Sequence, residues 1–67
     1  MEFQYPPFKD TKKALSEYYW RLPKRFFRST INRIISESRG VDINTAKYIK
    51  IITPKEFRLF VDEVDRV

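Results

Sequence analysis

Arg25, Arg28, Arg33 and Arg39 all fall within one stretch of this chain, KRFFRSTINRIISESR, residues 24–39. A guanidinium is always charged and presents a planar fork of donors that matches phosphate, so such a series suits a polyanionic partner. Asn32 lies among them. Covalent catalysis finds no comparable material. The chain has no His, no Cys and a single Gly, which removes the usual nucleophile–base pairs and any glycine-rich phosphate loop. Glu37, Asp42, Glu56, Asp62, Glu63 and Asp65 read as caps or exposed helix positions rather than a convergent acid–base site. The sequence therefore points away from an enzyme, and without Cys or His it offers no zinc site. No cofactor and no metal are expected.

The charge balance agrees with a polyanionic partner. Fourteen Lys and Arg against nine Asp and Glu give a net charge of +5, and the pI is near 9.8. Residues 1–39 hold nine basic and four acidic residues, whereas residues 40–67 hold five of each, so the whole excess lies in the first part. Such an excess favours polyanionic partners such as nucleic acid or an anionic membrane surface. The second is disfavoured, because no helix pairs a bulky exposed apolar face with its basic one. No apolar run approaches the roughly 18–20 residues of a membrane span, and MEFQYPPFKD lacks the basic start and apolar core of a signal peptide. A cytoplasmic location is the resulting expectation, and no membrane partner is expected.

These groups need a scaffold, and 67 residues allow one small domain. In residues 24–39, Phe27, Ile31, Ile34 and Ile35 recur at helical spacing as one apolar stripe. Pro23 ahead of them and Gly40 behind them bound the helix. An earlier helix starts from a cap at Asp10 or Thr11, with a stripe of Leu15, Tyr18, Tyr19 and Leu22, and stops before Pro23. Thr53-Pro54-Lys55-Glu56 is a capping box with proline in the first turn, opening a last helix that lines up Phe57, Phe60, Val61 and Val64, with Val67 at its edge. Asp62, Glu63 and Asp65 then crowd a helix C-terminus that disfavours negative charge, so either the end frays or the cluster meets a basic surface. Between Gly40 and Thr53, Asp42 or Asn44 can cap a third helix. The β-branched run of residues 47–53 leaves a short strand open, but the caps favour helix.

Residues 1–9 read as an extended arm, because the two prolines of Tyr5-Pro6-Pro7-Phe8 exclude helix. Its rings, Phe3, Tyr5 and Phe8, are expected to lie over the core, the alternative being an arm that docks on a partner. Trp20 falls off the apolar stripe of its helix, and residues 5–8 are expected to cover it. Exposure for a partner or for base stacking is the alternative.

Residues 32–51 resemble the helix-turn-helix of DNA-binding proteins. Ile35 supplies the buried residue of the first helix, Ser36 the small residue at the crossing, Gly40 the turn, Val41 the apolar residue after it, and Ala46 and Ile49 the inward face of the second helix. The pattern departs at Arg39, where such proteins bury an apolar side chain, and at the small Ala46. The resemblance implies that Asn44, Thr45, Lys47, Tyr48 and Lys50 project from a recognition helix, with Arg25, Arg28, Asn32, Arg33 and Arg39 beside it on the nucleic acid. The expected fold is thus an all-α bundle of three to four short helices in residues 10–67, with an extended arm over residues 1–9. The expected function is non-catalytic nucleic-acid binding, duplex DNA foremost. The alternative is a small protein-interaction module that uses Tyr5, Phe8 and Trp20 to bind a larger partner.

Overall fold

Thr11 is extended, and its hydroxyl accepts from the Ala14 amide at 3.1 Å, which starts α1, Lys12–Tyr18. Leu15 is the residue of α1 that is fully buried. Pro23 precedes α2, Lys24–Arg39, the longest helix, whose buried face carries Phe27, Ile31, Ile34 and Ile35 as the spacing requires. Gly40 ends it with φ of 66°, a left-handed geometry that a glycine adopts without strain. The third helix, α3, is a single turn, Ile43–Ala46, capped by the Asp42 carboxylate. The Thr53 capping box is fully formed and opens α4, Pro54–Val64. The computed structural model describes residues 4–65, so Phe3 and Val67 lie outside the described residues.

The fold is all-α, with α2 at its centre and α1, α3 and α4 packed around it. Phe27 and Tyr19 both meet the Phe60 ring edge-on, with centroids 5.2 and 5.4 Å apart. Phe57, Phe60 and Val61 of α4 and Ile52 ahead of it complete the core. Among the described residues, no helix is long and apolar enough to cross a membrane.

Several expectations need correction. The third helix stops at Ala46, and Lys47 and Tyr48 form a turn. Residues 50–52 run beside residues 10–12 instead, with an isolated antiparallel bridge between Thr11 and Ile51 and no strand among the described residues. The Lys12 amide donates to the Lys50 carbonyl and the Ile52 amide to the Asp10 carbonyl, each at 2.9 Å. Pro54 explains part of this, because it drives Thr53 out of helical geometry. Tyr18 is exposed rather than in the stripe, since α1 ends there. The arm does not cover Trp20, which is 72% exposed. It lies along α4 instead, where Phe8 meets Phe57 edge-on at 5.4 Å and the Tyr5 hydroxyl donates to Asp62 at 2.6 Å.

Glu56 is fully buried, and its carboxylate accepts from Arg39 Nε at 2.7 Å, from an Arg39 terminal nitrogen at 2.9 Å and from the Thr53 amide at 2.9 Å. Burial alone would raise its pKa. The hydrogen bonds from Arg39 and Thr53, together with the Arg39 charge, outweigh that and hold it below the usual 4.5.

Two outcomes test this packing. Ile35→Ala removes a fully buried side chain from the middle of α2 and should cost about 2–5 kcal/mol by urea denaturation. The second concerns acid. Since Glu56 titrates lower in the fold than in the unfolded chain, its contribution is complete above pH 4.5 and is lost as pH falls through the depressed folded value. The stability gap between the parent and Glu56→Gln should therefore narrow steadily below pH 4.5. A gap that stays constant there would show that the fold does not hold the Glu56 pKa below its unfolded value.

Candidate nucleic-acid interface

Residues 19–23 join α1 to α2, and the two helices leave a furrow between them. The single turn of α3 closes one end of it. The result is a groove of about 1040 Å³ lined by Lys12, Lys13 and Ser16 of α1, by Arg28, Ser29, Ile31, Asn32 and Arg33 of α2, and by Ile43 and Lys47. Five of these ten residues are cationic and none is acidic.

The five cations are not equivalent. Lys12 is partly buried, and its ammonium donates to Asn32 Oδ1 at 2.6 Å and to the Ala46 carbonyl at 2.7 Å. It thereby pins α1 to α2 and to the end of α3. Burial, with the nearby Arg39 charge, draws the Lys12 pKa below that of a free lysine, against a weaker opposing pull from Glu56. Arg33 stands at the groove edge and pairs with Glu37 at 3.0 Å and with Glu63. Lys13, Arg28 and Lys47 remain, and they make no salt bridge among the described residues. These three supply the uncompensated positive charge of the groove.

Of the residues that the sequence nominates, Arg28, Asn32, Arg33 and Lys47 are brought together here. Arg25 is exposed one helical turn ahead of Arg28 and Ser29, on the same side of α2. Asn32 lines the groove but is 9% exposed, and its Oδ1 accepts from Lys12. Arg39 lies outside the groove, and its partly exposed side chain is engaged within the fold. Its guanidinium binds Glu56 and donates to the Ile51 carbonyl at 2.9 Å. Asn44 and Thr45 are exposed on α3 but outside the groove, and Tyr48 and Lys50 are exposed beyond the end of that helix at Ala46.

Within residues 32–51 the packing positions of the helix-turn-helix pattern are filled as expected. Ile35 and Ala46 are fully buried, Val41 and Ile49 pack against the core, and Ser36 Oγ donates to the Val41 carbonyl at 2.6 Å. A four-residue second helix nevertheless offers no recognition helix of the usual length. The chain matches no family model, no curated protein and no solved structure. The groove is therefore the basis on which function is argued.

Sequence reasoning missed Lys12, Lys13 and Ser16 as groove residues. A signal for them existed in the short connection at residues 19–23, which forces α1 alongside α2 and brings its polar face to the arginines. Of the alternative contact residues, Tyr5 and Phe8 are engaged with α4, whereas Trp20 stands free of the arm, with the Arg21 guanidinium 5.2 Å from its ring centroid. Trp20 should accordingly fluoresce as a solvated indole, readily quenched by iodide. Phe8→Ala should leave its emission maximum unchanged, and a red shift in that variant would place the arm over Trp20 after all.

Proposed function

We propose that this chain binds nucleic acid without catalysing its chemistry, through the groove between α1, α2 and α3. The observation that carries this reading is the groove's charge: five cations, no carboxylate, and three of those cations without an ionic partner among the described residues. Each phosphate neutralised by Lys or Arg releases condensed counterions, so such a surface gains affinity from any phosphate backbone. Because α3 is one turn long, contact with phosphates dominates over the reading of base edges in a major groove, and binding tolerates many sequences.

A protein partner is the alternative. Tyr48, Trp20 and Ile51 are 85%, 72% and 62% exposed, and aromatic anchors of this kind dominate protein interfaces. The arm that would strengthen this reading is instead packed on α4.

Salt-dependent binding separates the two. Arg28→Ala with Lys47→Ala should weaken binding to nucleic acids of any sequence, and should flatten the slope of log affinity against log salt by about two. Circular dichroism should be unchanged, since both side chains are exposed. Parent and double variant binding equally weakly at low ionic strength would end the nucleic-acid reading and favour the protein one.

A further inference from the structure

The groove runs on toward a feature that backbone binding alone does not use. Lys12 faces Asn32 across its floor, and Ser16 and Ser29 line it farther along. Beyond Ser16 the chain leaves α1 and enters the connecting segment, residues 19–23. At that turn Trp20 is 72% exposed, and the Arg21 guanidinium lies over its ring. Arg25 continues the line of Arg28 toward the same end of α2. Residues 18–36 carry five cations, Arg21, Lys24, Arg25, Arg28 and Arg33, and no carboxylate.

We propose that the nucleic acid held in the groove is single-stranded, with an unpaired base stacked on the Trp20 indole. Its backbone follows Arg25, Arg28 and Lys13 toward Lys47. This rests on the groove being a nucleic-acid site. The argument is one of complementarity. In a duplex, base faces are covered by their neighbours and only edges are accessible, so an aromatic platform meets a base face only where the strand is unpaired. A single strand presents a flat π surface and a phosphate backbone together. Four positions after the groove residue Ser16, this chain offers their counterparts, an exposed indole at Trp20 and a run of cations without a carboxylate across residues 18–36. An acidic protein would satisfy the cations but supplies no regular series of flat faces. Arg21 adds a second planar group beside the indole, suited to contact with the base or its phosphate.

Trp20 is the only tryptophan, so its emission reports the stack directly. The test uses the full chain at low ionic strength, titrated with a short oligothymidylate and, separately, with a random-sequence duplex. Affinities are read from the anisotropy of dye-labelled strands. The expected result is that the single strand quenches Trp20 emission to saturation and the duplex does not. Trp20→Ala should weaken single-strand binding about tenfold, Trp20→Phe should recover much of the loss, and duplex affinity should be unchanged in both. These exposed substitutions should leave the circular dichroism spectrum as in the parent. Absent quenching, or equal loss toward both ligands in Trp20→Ala, overturns the stacking proposal. It leaves the groove reading intact if the Arg28/Lys47 double variant still weakens both. Binding of neither nucleic acid by the parent overturns both readings and assigns Trp20 to a protein partner.

Discussion

Glu56 is excluded from water, and an isolated carboxylate in that position would cost several kcal/mol unless charged and hydrogen-bonded groups replaced its hydration. Arg39 supplies most of that replacement, and its position has consequences well beyond the pair. It is the last residue of α2, where a cation also suits the helix dipole. From there it reaches the first turn of α4 through Glu56 and the extended segment before α4 through the Ile51 carbonyl. Holding residue 51 sets residues 50–52 against residues 10–12. That in turn starts α1 where the Lys12 ammonium meets Asn32 and the carbonyl end of α3. The floor of the cationic groove is thus linked through these contacts to the Arg39–Glu56 pair, whose charges also act on Lys12.

The same economy of charge shapes the surface. Asp62, Glu63 and Asp65 gather at the end of α4, which is an unfavourable place for three carboxylates. Each is engaged by a different part of the chain. Asp62 accepts from the Tyr5 hydroxyl, Glu63 pairs with Arg33, and Asp65 accepts from the Tyr19 hydroxyl at 2.6 Å. Burial, with that bond and the charge of Asp65, pushes the Tyr19 phenol well above its ordinary pKa. The acids are therefore met by phenols and one edge arginine. Among the described residues none forms a salt bridge with Lys13, Arg28 or Lys47.

How much of this could be read from the chain depended on how local each determinant was. The bounds and apolar stripe of α2 follow from Pro23, Gly40 and the spacing of Phe27, Ile31, Ile34 and Ile35, all within a few residues. The capping box at Thr53 is equally local and formed as read. Glu56 was legible as its cap residue, but not as the partner of Arg39, because that contact joins residues 17 positions apart. Asn32 borders the stripe beside Ile31, and its burial was decided by a lysine 20 positions earlier. The end of α3 was misread for a related reason. Its caps promised a helix, yet residues 50–52 gained backbone hydrogen bonds to residues 10–12, and a local propensity of a few tenths of a kcal/mol yields to that. The resemblance in residues 32–51 captured the buried positions for the same reason it overstated the second helix: it describes packing at the turn and says little about what lies beyond.

The arm's contacts with α4 also bear on how the domain opens. Tyr5 and Asp62 are 57 positions apart, so their hydrogen bond encloses nearly the whole described chain and has little meaning until the intervening helices have docked. Its ends are exposed, and it lies outside the buried cluster around α2. Such a segment belongs to the low end of the range of local stabilities, releasing and rebinding many times while α2 stays folded. Hydrogen exchange would then divide the chain into two tiers, with the amides of α2 opening only in global unfolding and those of residues 4–9 exchanging at nearly the rate of a free peptide. The aromatic arm would be a latch that closes last and opens first.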